Sequence, residues 1–535
     1  MNTLTLMVSC LLSVFSTAVM SYIAMATPIG PWIAPTLVLL AIVLMRILGA
    51  RGSFDTKIAY ATTSGSVGGI LATACGFSFP AIYFIDPDLF SSWMTTPWYF
   101  CIGLGLLSFL AGWFGIWIAN GVEQKLIVQE QLAFPIGQLV QKMIVAHNNI
   151  RKAYELLAGF VGTALFCVMQ DGTRFFKGLF PKSLLLLPAQ QFSVFSITPI
   201  NFDLWPLLWA IGFVTGHVVA FPLIAGAFIK FFFMEPINKI WFPALPPMEF
   251  VLAFCGGLVL SGAVVGFIET PKSLYKAARR IITGTTNTQE SLKATITAQR
   301  MLLAELALLI IPMTVFLSYM GLTLSVQFYL LIFAWICSYQ MVLVAGKIGL
   351  AQLGRYATFV MVPALFLFDL KPQHLILIAT FVELSGGIAT DILFGRKLAY
   401  EAKIPLSQVR QYQYLGLLIS SMSVGIIFWL LINHFSLGSA ELFAYKAQSR
   451  ALLLNVQQFD YIVLIIGFIF GMLLKRFKMN PALVLGGLLM PLNISIGLIF
   501  GGLLSYATRN KEEWYPFWSG VFASNSLWML IKTIV

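Results

Sequence analysis

The chain has 535 residues, of which 59% are hydrophobic and 10% charged, with a mean hydropathy of +0.88. Soluble domains carry about 25% charged residues, so this chain lacks the charge to cover itself with water-compatible surface. Its 33 basic and 21 acidic residues give a net charge of +12, but the basic ones fall in short stretches between apolar runs, which is the positive-inside pattern and excludes a nucleic-acid surface.

Apolar runs of membrane length start at once. Residues 4–23 are apolar, and Ala24-Met25-Ala26 resembles a signal-peptidase site. No positive segment precedes them, and the next apolar run follows directly, so the first segment reads as a retained helix. Further runs occupy 31–49, 57–85, 97–120, 154–170, 206–233, 247–268, 300–319, 323–345, 348–369, 373–395, 410–433, 458–475, 480–507 and 515–534. Basic stretches around Arg46–Lys57, Lys125–Lys152, Lys272–Lys293, Arg396–Arg410 and Lys475–Lys478 belong to the cytoplasm, and Asp86 with Asp88 to the outside. Counting forward from a cytoplasmic N-terminus puts residue 171 outside; counting back from a cytoplasmic C-terminus puts 272–293 inside. An odd number of crossings must lie between, where only two are evident, so the missing one is assigned to the Pro-interrupted stretch 179–200, LFPKSLLLLPAQQFSVFSITPI.

The expected fold is therefore an all-α polytopic helical bundle of about sixteen crossings, with both termini cytoplasmic. It forms one transmembrane domain: an N-terminal half to about 268, a cytoplasmic loop at 269–299 and a C-terminal half from about 300. Glycines at three- and four-residue spacing (Gly65, Gly68, Gly69; Gly112, Gly115; Gly497, Gly501) suit close helix approach in lipid. Prolines inside apolar runs (Pro80, Pro222, Pro363, Pro481, Pro491) predict kinked or broken helices of the kind that line transport paths.

No loop has room for a nucleotide-binding domain, and no phosphate-binding GxxxxGK[ST] occurs, so uphill transport must draw on an ion gradient or another subunit. Neither HExxH nor GxSxG is present, which argues against an enzyme. Six cysteines and four histidines lie scattered without metal-ligand spacing, so no cofactor or metal is expected beyond a coupling proton.

Charges inside membrane spans cost about 2.5–3.5 kcal/mol each on insertion scales and so require a reason. Glu383, Thr390 and Asp391 in FVELSGGIATDILFGRK fall within about 80° of one another on a helix of 100° per residue. Gly386 and Gly387 between them would leave backbone accessible. The preceding helix carries Lys347 and Arg355, and a hairpin turning near Lys371 sets Arg355 opposite Gly387. Two readings stand for the acids: a structural Arg–carboxylate pair, or a proton and substrate site. Glu383 lies deeper, and Asp391 is near enough to Arg396 to be interfacial. Further polar candidates are Gln170 and Asp171 with Arg174 at a helix end, His217 beside Pro222 as a titratable intramembrane group, and Glu305 early in its helix. Tyr339, Gln340, Asn493 and Ser495 lie in otherwise apolar runs as substrate contacts or interhelical hydrogen bonds.

Five stretches, in order, resemble the oligopeptide transporter superfamily, which includes the yellow-stripe-like metal–chelate carriers. They are FDTKIAYATTSGSVGGILATACGFSFPAIYF (54–84), EQLAFPIGQLV (130–140), IGFVTGHVVAFPLIAGAFI (211–229), ATDILFGRKLAYEAKIPLSQVRQYQYLGLLISS (389–421) and PALVLGGLLMPLNISIGLIFGGLLSYA (481–507). The family's sixteen helices agree with the count above. The resemblance implies a multi-pass plasma-membrane transporter, proton-coupled, importing small oligopeptides or metal chelates and able to form homo-oligomers. In that setting Glu383, Asp391 and His217 would move protons. Lys347, Arg355, Gln170, Asp171, Tyr339, Gln340, Gly386, Gly387, Thr390 and Asn493 would meet substrate. The chain departs from the family pattern at Ile136-Gly137-Gln138, at TPIGPW (27–32) and at AGKIGLAQLG (345–354). Substrate class thus stays open, as do an exporter of another solute and, last, a membrane enzyme.

Overall fold

The computed structural model describes residues 3–27, 32–49, 54–132, 134–145, 150–173, 176–187, 190–191, 196–197, 200–247, 249–258, 260–261, 264, 289–348, 351–439, 441–454, 460–477, 479, 481–489, 492–509 and 511–534. The main elements of the first half are α1 (Thr3–Ala26), α2 (Ala34–Ile47), α3 (Phe54–Ser78), α4 (Pro97–Glu123), α5 (Pro135–Val145), α6 (Ile150–Asp171), strands β1 (Ser183–Leu187) and β2 (Ile200–Asp203), α7 (Pro206–Thr215), α8 (His217–Ile229) and α9 (Glu249–Leu258). Then come α10 (Gln289–Tyr319), α11 (Leu324–Ile348), α12 (Leu353–Leu367), α13 (Pro372–Glu401), α14 (Leu406–His434), α15 (Tyr445–Leu454), α16 (Tyr461–Arg476), α17 (Pro481–Leu489), α18 (Leu492–Ala507) and α19 (Lys511–Ile534).

Among the described residues eight helical stretches are long and apolar enough to cross a membrane, and four shorter helices are apolar as well. The architecture is all-α and polytopic, as expected. Three details differ. Among its described residues the stretch 179–200 holds no crossing helix: β1 and β2 pair antiparallel, Ser183 opposite Asp203 and Leu184 opposite Phe202. Two short strands leave backbone groups unpaired on both outer edges and cannot cross hydrocarbon. A short helix that the apolar runs did not include is α15, whose sequence YKAQSRALLL is polar although Arg450 within it is buried. Finally, α10 begins at Gln289, inside the stretch expected to be loop, because hydropathy detects only its apolar part from about residue 300.

The break expected at Pro222 lies at Gly216. There φ is +72°, and α7 ends as α8 begins. Only glycine takes that conformation without strain, whereas Pro222 falls early in α8 and is accommodated within it.

The element order repeats: α1 to α8 and α11 to α18 follow the same sequence of longer and shorter helices, with α9 and α10 between. The short helices α5 and α15 are each preceded by a non-glycine residue of positive φ, Phe134 (45°) and Ala444 (54°). The Phe134 N–H donates to the Gly346 carbonyl near the end of α11 (2.8 Å), and the Ala444 N–H to the Met25 carbonyl near the end of α1 (2.6 Å). Each half thus makes the same contact on the first helix of the other. Within α3 and α13, Ser66 meets Asp391 and Ser78 meets Glu383; residue numbers rise along one helix as they fall along the other, so the repeat is inverted.

The chain divides into two compact units of interleaved segments rather than into sequential halves. The first comprises 1–21, 32–146 and 265–429; the second comprises 22–31, 147–264 and 430–535. In the first unit α13 is central. It packs on α3, α4, α5, α11 and α12, and every residue from Leu375 to Ala399 is buried. A hydroxyl-rich seam joins α1 to α3, where Ser13 and Ser64 approach at 3.1 Å. Ser338 of α11 and Ser385 of α13 form the equivalent pair at 3.2 Å.

In the second unit four helix pairs meet through glycine on both sides. Gly159 of α6 lies against the Phe517 carbonyl and Gly520 of α19 against the Leu156 carbonyl. Gly212 and Gly501 pair likewise between α7 and α18, Gly226 and Gly487 between α8 and α17, and Gly257 and Gly467 between α9 and α16. A methyl group at any of these positions would overlap a backbone carbonyl, so they set the interhelical distance.

Candidate functional site

The sequence of α13 starts with Pro372 in its first turn, where the missing N–H costs nothing, and no later proline interrupts it. Its two acids are completely enclosed: Glu383 is 0% and Asp391 2% exposed. They stand eight residues apart, about 12 Å along the axis. Both find their partner on α3, which is itself buried from Ile58 to Ser78. The Ser78 hydroxyl donates to Glu383 Oε2, and the Ser66 hydroxyl to Asp391 Oδ2 at 2.7 Å. No ion pair reaches Asp391 among the described residues, and Ser66 is its one hydrogen-bond donor there.

Arg396, five residues further on, is fully buried yet turns elsewhere. Its guanidinium donates to Glu123 Oε2 (2.7 Å), Asn120 Oδ1 (2.6 Å) and Gln413 Oε1 (3.2 Å). Arg410 also reaches Glu123 at 2.9 Å. Asn120 carries the network to Glu305 (3.1 Å), which further accepts from Trp113 Nε1 (3.1 Å) and the Tyr414 hydroxyl. Glu305 is therefore a member of an interhelical network on α4, α10, α13 and α14, not an isolated interfacial charge. Asn120, Glu123, Gln413 and Tyr414 were missed because each is an ordinary polar residue near the end of an apolar run. Only the tertiary fold collects them.

The remaining expected residues are dispersed. Gly386 and Gly387 offer no open backbone: a Cβ on Gly386 would meet Met341 Cε at 2.7 Å, and one on Gly387 would meet Ile70 and Leu353. Thr390 turns its hydroxyl back to the Gly386 carbonyl (2.8 Å). The α12–α13 hairpin turns near Lys371 as expected, but Leu353 is the residue against Gly387, and Arg355 donates to Gln352 at 3.2 Å. Tyr339 packs with Leu343 and Val122, while Gln340 is buried with its Oε1 lacking a hydrogen-bond partner among the described residues. The side chains of Lys347 and His217 lie outside the described residues, as does Arg174; His217 itself is the first residue after the Gly216 break rather than mid-helix.

In the second unit, Gln170 donates to the Leu204 carbonyl (3.0 Å), and Asp171 accepts from Trp528 Nε1 (2.8 Å) and approaches Lys182 (3.7 Å). Both thus tie the β1–β2 hairpin and α19 to the end of α6. Asn493 donates to Asp203 Oδ2 at 2.5 Å. Burial pushes the Asp203 carboxyl above the usual carboxylate range, and the Asn493 amide offsets part of that. Ser495 is buried, its hydroxyl likewise without a partner among the described residues.

Of all the candidates, the fold brings together Glu383 and Asp391, on one face of one helix and against one neighbour. The family model of the OPT oligopeptide transporter protein matches residues 1–525. The chain belongs to the OPT oligopeptide transporter family. No curated protein matches the chain. As an OPT transporter it is a multi-pass membrane protein. The α3–α13 crossing, which holds both acids, joins the two halves of the repeat.

Proposed function

We propose that this OPT protein is a proton-coupled secondary importer of small oligopeptides at the plasma membrane, with Asp391 and Glu383 of α13 carrying the coupling proton. The observation that supports it most is Asp391: a carboxyl enclosed in the protein interior with a serine hydroxyl and no cation beside it among the described residues. An ionised carboxylate without a countercharge is strongly disfavoured in such a place. The closed protein therefore keeps the group protonated, and a conformation that admits water lets the proton go. Each change of access is thereby tied to a proton, which is what coupling requires. Glu383, with its Ser78 donor, stands about two helical turns nearer the other end of α13 and accepts or passes on the same proton. In the second unit, the break between α7 and α8 at Gly216 frees backbone groups at helix ends that suit peptide amides and termini.

Uptake of di- to pentapeptides into proteoliposomes, measured with and without an inward proton gradient, tests this reading. Peptide accumulation that rises with the gradient supports it. Uptake indifferent to the gradient rejects the coupling, and accumulation of iron or copper chelates in place of peptides rejects the substrate class.

A further inference from the structure

A cavity of about 380 Å³ opens in the first unit beside the N-terminal ends of α4 and α13 and the C-terminal end of α10. It is separate from the pairs Ser66–Asp391 and Ser78–Glu383 and from the Arg396 network. Its walls are hydrocarbon and aromatic rings, among them Phe79, Trp93, Phe100, Leu107, Phe316 and Leu377, and no Asp, Glu, Lys or Arg lines it. The polar side-chain groups among the lining residues belong to Trp93, Tyr99, Tyr319, Gln373 and His374. The volume falls at the lower end of the roughly 300–1,000 Å³ of small-molecule pockets.

The surroundings indicate what fills it. Ile102 and Leu106, one turn apart on α4, line the cavity and are also 56% and 45% exposed. On α10 the exposed Ile311 and Val315 lead up to Phe316 at the cavity wall. Exposed apolar faces of membrane-length helices meet lipid, so the cavity is continuous with the lipid-facing surface. Trp93, Trp98, Tyr99 and Tyr319 cluster at the helix ends, where aromatic side chains mark the boundary between hydrocarbon and head groups. Gln373 and His374, both partly exposed, line the same end of the cavity. A peptide would have to bury its charged termini against this neutral wall, at high cost; an acyl chain loses nothing there.

We propose that this cavity is a fixed lipid site, which takes one acyl chain of a membrane phospholipid and leaves the ester region beside Tyr99, Tyr319 and His374. Phe79 in its wall directly follows Ser78, the donor to Glu383, so the bound chain supports the segment that carries this hydroxyl.

The full-length protein is reconstituted with a phospholipid bearing a diazirine at one acyl terminus, irradiated, digested and mapped by mass spectrometry. Labelling of residues 93–107 and 316–320 is expected to exceed that of the lipid-facing surface of α16 around Ile465 and Ile469 about tenfold, the ratio that roughly 1.4 kcal/mol of site preference gives. Gly103 lines the cavity, and a Cβ there meets no atom within 4 Å. Gly103→Phe therefore starts its side chain in open space and puts a ring into the cavity, and should bring cavity labelling down to the α16 level while leaving α16 unchanged. Equal labelling at both places in the parent protein, or cavity labelling unaffected by Gly103→Phe, overturns the proposal. So does displacement of the label by a hydrophobic tripeptide, which would give the cavity to substrate.

Discussion

Asp391 and Arg396 lie five residues apart on the same buried helix and meet opposite circumstances. Arg396 is surrounded by acceptors on two other helices, with Glu123 as its countercharge; Asp391 has one serine hydroxyl. A buried pair from which one partner is removed costs about 3–5 kcal/mol, because the other charge stays behind uncompensated. Arg396→Leu should therefore lower the thermal stability of the purified protein by many degrees, since it strands Glu123 with only the half-exposed Arg410. Asp391→Asn removes a proton site while keeping shape and a hydrogen bond to Ser66. It should leave the unfolding temperature almost unchanged, keep substrate exchange across proteoliposomes with equal pH on both sides, and abolish the response of uptake to a proton gradient. An Asp391→Asn protein that still accumulates substrate under the gradient would remove this residue from the coupling. Both acids were legible in the sequence, since a charge in an apolar run demands an explanation wherever it is found. Their relative standing was not. Proximity along the helix linked Asp391 to Arg396, and only the contacts of Asn120, Glu123 and Gln413 show that the arginine is engaged elsewhere.

At the scale of elements, glycine does the work that hydrophobic patterning does in soluble folds. Lipid is as apolar as leucine, so helices gain little by burying leucine and much by approaching closely. Gly159 and Gly162 of α6 show how local this is. A Cβ on Gly159 collides with the Phe517 carbonyl of α19, whereas one on Gly162 meets nothing within 4 Å. Gly159→Ala is expected to destabilise the protein by about 1–3 kcal/mol through overpacking. Gly162→Ala, one turn away, should be neutral or gain up to about 1 kcal/mol from helix propensity. Equal effects in a thermal-shift measurement would show that α6 and α19 are not held by that contact. Sequence alone treats the two glycines alike, which is why the abundance of small residues was readable and their roles were not. The same limit explains α15 and the hairpin. Hydropathy took the leucines of 184–187 for a crossing and passed over YKAQSRALLL, because it weighs composition and not the neighbours that satisfy Arg450 or pair β1 with β2.

For the whole molecule, the long apolar runs made the class of fold plain from composition, while the inverted repeat was invisible. The two halves share an order of elements and a few backbone contacts, and residue identity has drifted even at the paired positions Phe134 and Ala444. Inverted repeats permit alternating access by rigid-body movement around a fixed site. That places a condition on contacts inside a compact unit, which here mixes segments of both halves. The α1–α3 pair Ser13 and Ser64 (3.1 Å) and the α11–α13 pair Ser338 and Ser385 (3.2 Å) each join helices of one half, close enough for side chains of cysteine to bridge. In a background whose six native cysteines are replaced by alanine, the double variants Ser13→Cys with Ser64→Cys and Ser338→Cys with Ser385→Cys should form disulfides under mild oxidation. Each crosslinked protein should retain most of its uptake, because neither bond spans a surface that moves. Reduction should then change the rate little. A loss of transport on oxidation that returns on reduction, in either variant, would mean that the helices slide within the first unit, and that unit would no longer count as one body during transport.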